Sequence, residues 1–498
     1  MIFKNKNKGL IFRDDKIKFI ISVLLCILVS EVNLYAQKLQ WSVPQKVSER
    51  AYITESLGEN NGVVFVVKKN SRGQEHDIIL DRYSEDMRKT ITKVFLTHRN
   101  ENFIRVILDS TGLRMFYSSP DKDKKHINVI LKNLNFNLEE MGKDTTLFSI
   151  ESTNIEQALI TAYKMKMSPY ILITYTKDNG EYPTNYEYVL LDGSIKNVSQ
   201  GTFNLGAINK SSIEQVTFSS ERFGLLVRED VKQKLSRLGY QFYIYDGKFG
   251  DPEMNRTRLF SDSFSITEGI LKTDFKNSNM VFAGLYATRD SSYVKGCYVW
   301  RKSLKTNTLF TRSNPFTSDI IIEMEGRRNK LQGIFNLRAG DMTFRADGGM
   351  ILTSEEYQET HENVTDINAY GVAQPNVRNF YYYQNLLVIS ISPNGDIDWH
   401  DVVRKDQVTV NDMGTFSSYL LCVTPDRLVY IFNDLSRKNW NLSITEINDK
   451  GVATNNILVR PQNYEGRMVP QYGDQIAYNQ FLIPGLTARG IVLLKVTY

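Results

Sequence analysis

Cysteine is nearly absent: Cys26, Cys297 and Cys422 are the three in 498 residues. So few exclude a disulfide framework and a multi-cysteine metal site. Cys297 and Cys422 read as small, buried apolar side chains. Histidine is almost as scarce, with five residues scattered at 76, 98, 126, 361 and 400, so no histidine-based metal centre is expected, nor any other cofactor. The P-loop, the G-x-S-x-G elbow and the H-E-x-x-H pair are missing, since "HENVT" lacks its second histidine. "DKDKKH" at 121–126 hints at calcium ligands but lacks the glycine and distal glutamate of a calcium loop.

A long hydrophobic run is lacking everywhere except near the start. There Lys4, Lys6, Lys8, Arg13, Lys16 and Lys18 precede "FIISVLLCILV" and then "NLYAQ". A basic region, a short apolar run and a small-residue cleavage site make residues 1–36 a Sec signal peptide, cut after Ala36. The run is short for a membrane span, so export to the periplasm or cell surface is expected, with no transmembrane segment after cleavage. Leu25 before Cys26, and Ile27-Leu28-Val29 after it, argue against lipidation. An excess of one charge is lacking too. Residues 1–36 carry six basic and three acidic side chains, so the formal +5 falls to +2 in the mature chain. Nucleic acid is therefore not an expected partner.

Aromatic residues are plentiful at 11%, with 27 Tyr and 26 Phe, and lean towards β-structure. One unit recurs: an alternating strand, a turn rich in Asp, Asn, Gly or Lys, and a second strand. "IILDRYSEDMRKTITKVF", "VILKNLNFNLEEMGKDTTLF", "EYVLLDGSIKNVSQGTFNL" and "VISISPNGDIDWHDVVRKD" are four instances. Anchors at Tyr83, Leu134, Leu191, Tyr245, Leu304, Ile391, Ile447 and Val496 step by 49 to 59 residues, with one step of 87. A second hairpin precedes most units, as in "VILDSTGLRMFYSSPD". Two hairpins per period make the four-stranded antiparallel blade of an all-β propeller. The count is eight blades, or seven if residues 310–385 have been misread. Residues 37–498 are expected to form a single propeller domain. The mature start "LQWSVPQKVSE" resembles the fourth strand "IDWHDVVRKDQ", with Trp41 matching Trp399, and should close the ring beside "GIVLLKVTY". Only "ESTNIEQALITAYK" and "VKQKLSRL" read as helical.

"SPNGDIDWH" places His400 and Asp401 beside a tryptophan, as an active site would. Asn394-Gly395 is a strong type I′ hairpin signal, however, which puts His400 on a peripheral hairpin. Ser392 and Trp399 also have the spacing of the Asp-box of sialidase-like propellers, with Asn394 and Asp396 in place of its Asp and Gly. The 87-residue step points elsewhere, to an insertion at about 355–385 between the second and third strands of the sixth blade. Long loops in compact folds are commonly functional. Glu355, Glu356, Tyr357 and His361 leave the strand, and Tyr381 and Tyr383 return to it. Arg404, Lys405 and Asp434 belong to loops on the same face. Aromatic rings beside carboxylates and amides suit a sugar or a peptide.

"GGMILTSEEY", the insertion, "NLLVISISPNGDIDWHDVVRKDQ" and "FSSYLLCVTPDRLVYIFND" resemble a group of uncharacterised exported β-propeller proteins of Gram-negative bacteria. The likeness is good over about residues 330–460. It implies fold and export and carries no catalytic residue. The function read from the sequence is a non-enzymatic exported propeller binding a protein, peptide or glycan on the face with the insertion. The alternatives are a glycan-active hydrolase or lyase, with two carboxyl groups about 5 to 10 Å apart across a pocket on that face, and a structural subunit of an envelope complex.

Overall fold

The structure, a computed structural model, describes residues 37–498 except segments 47–50, 73–74, 97–100, 122–124, 152–158, 167, 177–183, 207–209, 232–237, 262, 289–290, 292, 327–331, 368–372, 437–438 and 461–465. The expected signal peptide, the middle of "DKDKKH" and most of "VKQKLSRL" lie outside the described residues.

Eight antiparallel sheets follow one another along the chain, each built on four strand positions in simple sequential order, and two of them carry a fifth, short strand. Blades 1 to 7 begin at Ala51, Asn102, Ile160, Ser211, Phe264, Leu337 and Tyr419. Blade 8 takes two short first strands, Gly466–Met468 and Asp474–Ala477, then Gln480–Thr487 and Gly490–Thr497 from the end of the chain, and its outermost strand, Lys38–Trp41, from the beginning. That strand runs antiparallel to Gly490–Thr497, with Lys38 opposite Thr497 and Trp41 opposite Leu494.

The core repeats with the blades. Eight separate apolar clusters fill the eight gaps between neighbouring blades, and one of them joins blade 8 to blade 1. In that last gap Val64, Val66, Tyr83 and Met87 meet Ile476, Leu482 and Leu493. Eight sheets with eight filled gaps form a closed ring, so the count is eight. All the chosen anchors sit on the third strand of a blade or, for Leu304, just past its end.

The turns from third to fourth strand share one geometry in blades 1, 2, 3, 6 and 7. The first residue (Ser84, Asn135, Asp192, Ser392 or Asn448) offers its side-chain oxygen to a backbone N–H four positions on. The fourth residue has positive φ: Met87, Leu138, Ile195, Gly395 or Gly451. It also faces the preceding blade. Met87 and Leu138 are buried there, while Cβ atoms at Gly395 and Gly451 would strike Phe310 at 2.8 Å and Trp399 at 2.7 Å.

"SPNG" is therefore not the expected type I′ turn. Gly395 N–H donates to Ser392 O at 2.9 Å, and of Asn394 and Gly395 only the glycine has positive φ. This is a type I turn with a bulged glycine, and proline supplies its first central φ. The preceding blade grips it: Arg301 donates to Pro393 O (2.6 Å), Asn314 to Gly395 O (2.7 Å), and Arg312 pairs with Asp396.

Two elements depart from the sequence reading. The end of "ESTNIEQALITAYK" is strand, Ile160–Lys164 pairing with Ile171–Tyr175, because Ile160, Thr161 and Tyr163 suit a pleated surface with a partner available. A helix unforeseen in the sequence, α1 (Ser318–Glu325), joins blade 5 to blade 6. Thr317 caps it, Asp319 sits in its first turn and Gly326 ends it at φ 75°. Ile320, Ile321 and Met324 anchor it in the apolar gap between those blades. The stretched step thus divides between this connection and the insertion.

Candidate functional site

The insertion is a β-ribbon rather than a loop. Met350–Ile367 and Ala373–Ile391 stay paired throughout, from Met350 opposite Ile391 to Ile367 opposite Ala373. The part beyond the blade, from Tyr357 opposite Tyr383 outward, has eleven cross-strand pairs, about 35 Å at strand rise. A short strand, Gln407–Val410, pairs with Phe380–Tyr383 and makes the base three-stranded.

Alternation along the ribbon sorts its side chains. Tyr357 pairs with Tyr383, Glu359 with Tyr381 and His361 with Asn379, so all six share one face. Gln407 and Thr409, buried, extend that face under the base. Tyr381 is also buried. Tyr357 stands edge-on to Tyr383, ring centroids 4.8 Å apart, and its hydroxyl donates to Glu359 at 3.2 Å. His361 is exposed, with Nδ1 2.7 Å from Asn379 Oδ1.

A recess of about 420 Å³ opens beside this base, between the ribbon and the first strands of blades 5 and 6. Both strands carry a β-bulge at that height, between Ile266 and Glu268 and between Ala339 and Asp341. Bulges re-aim side chains, and here Glu268 and Arg338 line the recess with Tyr240, Asn336, Tyr357 and Glu359. The Arg338 guanidinium lies over the Tyr357 ring, 3.5 Å from its centroid, and 3.7 Å from Glu268. Glu268 accepts from Ala339 N–H at 3.0 Å. Burial raises its carboxyl pKa, against the pull of Arg338 and that N–H. Arg228 stacks on Tyr240 at 4.9 Å. The recess so combines two arginine-tyrosine stacks with two carboxyl groups.

The remaining expected site residues divide. Glu355 and Lys405 face each other at 2.6 Å inside the protein, both side chains nearly or fully shielded. Ser418 donates to Glu355 and Lys405 donates to Gln407. Burial lowers the lysine pKa, while Glu355 opposes the shift. Glu356 accepts two bonds from Asn385 and is pushed up to about 7 by burial and by Glu325 of α1. Arg404 is exposed and donates to the Glu323 carbonyl on α1 at 2.5 Å. Asp434 lies on blade 7, across from Asn441. His400 is on the outermost strand of blade 6, 3.2 Å from the Glu323 carboxylate, so it fastens the helix. Arg338, Glu268 and Tyr240 were missed because their blades come together only in the ring. A break in strand alternation at "SITEGIL" and "NLRAGDM" is the signal that could have flagged them.

Three polar side chains on first strands bond to the first strand of the next blade. Arg105 donates to Ala162 O (3.1 Å), Gln215 to Gly269 O (2.9 Å) and Lys272 to Met342 O (2.7 Å). Among the described residues, no three His, Cys, Asp or Glu side chains converge as a metal site would require.

No family model and no curated protein matches the chain. Among solved structures it is similar to the Nup133 β-propeller domain of Vanderwaltozyma polyspora, at 10% identity and TM-score 0.36, covering 91% of this chain and 100% of that one. The polysaccharide lyase Uly1 is similar at 10% identity and TM-score 0.33, over 80% and 90% of the two chains. An acylaminoacyl peptidase of Pyrococcus horikoshii follows at 9% identity and TM-score 0.36, over 88% and 57%. Likeness at this level transfers neither activity nor ligand.

Proposed function

We propose that the chain is an exported, non-enzymatic β-propeller, in the periplasm or at the cell surface, that binds a protein, peptide or glycan on the ribbon face. One observation carries the reading: a ribbon of eleven pairs rises from blade 6 beside a recess whose aromatic rings and charges are already fixed by stacking and ion pairing. Pre-fixed side chains lose little entropy on binding, which favours recognition. The basic segment and apolar run within residues 1–36 support export.

Envelope extracts and a glycan array test it, using the mature protein, Arg338→Ala, Tyr357→Ala, and a chain with 362–378 replaced by a two-residue turn. The expected result is a ligand whose binding falls at least tenfold in one or more variants. Retention by all three overturns the reading.

A specific observation favours a glycan-active enzyme as second reading: Glu268, its carboxyl pKa raised by burial, shares the recess with Glu359. General acids in glycan hydrolysis need such a shift. Release of reducing ends or unsaturated products, abolished in both Glu268→Gln and Glu359→Gln, would establish catalysis in place of simple binding.

A further inference from the structure

A cleft of about 740 Å³ lies on the opposite face, between blades 6 and 7. Turns joining first to second strands build it, with the third-to-fourth turn of blade 7. Its volume falls within the range of small-molecule sites. Trp399, the residue that made "SPNGDIDWH" conspicuous, lines it.

Trp399 is held in place. The indole packs so closely against Gly451 that an added Cβ would lie 2.7 to 3.2 Å from three of its ring atoms. Phe344, Ile351 and Leu428 add an apolar wall, and Tyr478, 67% exposed, stands at the rim.

Two arginines complete the cleft, both clamped. Arg345 donates to Ser390 Oγ and to Asp347, each at 2.6 Å, and pairs with Asp398. Arg427 donates to Asp426 through two nitrogens, at 3.0 and 2.7 Å, and to Glu446 at 2.6 Å. Clamped guanidiniums are planar donors with fixed direction, and the carboxylates beside them keep spare acceptor lone pairs. Each guanidinium is shared by two carboxylates, so the two clusters together carry a net negative charge. That excess disfavours an anionic ligand, while the guanidiniums present donors that hydroxyl oxygens accept and a cation cannot use.

We propose that this cleft binds a neutral oligosaccharide, one sugar ring stacked on Trp399 and vicinal hydroxyl groups bridging an arginine and its carboxylate. An apolar ring face with equatorial hydroxyls needs both an aromatic platform and paired donors and acceptors. This site is separate from the ribbon face and stands whether or not that face binds.

The test uses the mature protein with neutral hexasaccharides of β-1,4-glucose, β-1,4-mannose and α-1,4-glucose, and an oligouronate as charged control. Binding is read from the Trp399 indole resonance, assigned by its loss in Trp399→Phe, and by calorimetry. The expected result is saturable binding of at least one neutral sugar that shifts this resonance, weakened tenfold or more in Tyr478→Ala or Asp347→Asn. The 362–378 replacement should bind equally well, which separates this site from the ribbon face. Thermal midpoints show that the variants are folded. Absence of binding by all three sugars, tighter binding of the oligouronate, or binding indifferent to both variants overturns the proposal.

Discussion

Glu355 and Lys405 show how burial decides what a charged residue does. The two look available in the sequence, yet each is the other's counter-ion in a dry interior. Removing one partner leaves an uncompensated buried charge, which costs about 3 to 5 kcal/mol. Lys405→Met and Glu355→Met should each lower the urea midpoint strongly, whereas the double variant should recover most of the loss. Additive losses would show that the two do not act as a pair. Glu356, one position on, titrates. Its carboxyl is raised to about 7, so between the ordinary glutamate value and 7 the folded chain holds a proton that the unfolded chain has released. Its contribution to stability is complete below the ordinary value and is lost as pH rises through 7. Glu356→Gln should therefore match the parent at pH 4 and unfold at higher temperature than the parent at pH 7.5. Calorimetric midpoints at both pH values check this.

At the scale of the element, the repeated turn between third and fourth strands does two jobs with one positive-φ residue. It closes the hairpin and touches the preceding blade. Gly395→Ala meets both a strained φ of 80° and Phe310, for an expected loss of about 1 to 3 kcal/mol. Leu138→Gly relieves its backbone at φ 61° but empties a buried site, so it should destabilise as well, by about 2 kcal/mol. Denaturant unfolding checks both. The ribbon behaves differently. From residue 362 outward it pairs with no other described strand, and replacing 362–378 by a short turn should shift the thermal midpoint by only a few degrees. A collapse of the fold would show that the ribbon is structural.

For the whole molecule, the decisive contact is the one between the chain's two ends. The strand Lys38–Trp41 covers the edge of Gly490–Thr497, and Leu39 and Trp41 pack against the cluster between blades 7 and 8. Trp41 and Trp399 are both on outermost strands, as expected, but they face opposite neighbours, since Trp399 packs towards blade 7 from blade 6. A mature chain lacking 37–45 would expose a hydrophobic edge strand and open the ring. It should unfold at markedly lower denaturant and associate, as light scattering would show. A monomer of unchanged stability would deny the latch its role.

The amino-acid order by itself determined the blade period, the four-strand unit and the latch. The first two follow from alternation and turn chemistry within about 60 contiguous residues, where local sterics and apolar patterning suffice, and the latch follows from the likeness of the mature start to a fourth strand. It also marked where the ribbon leaves the sixth blade, though not that the insertion stays paired. Helix α1 was hidden because "SDIIIEME" is as compatible with a strand as with a helix. Its cap and the apolar gap between blades 5 and 6 decide between them. Only the tertiary structure brought Glu268 to Arg338, buried Glu355 against Lys405, and set Trp399 beside two clamped arginines. Those outcomes depend on which blades become neighbours and how far each side chain is withdrawn from water, and neither quantity is written in any local pattern.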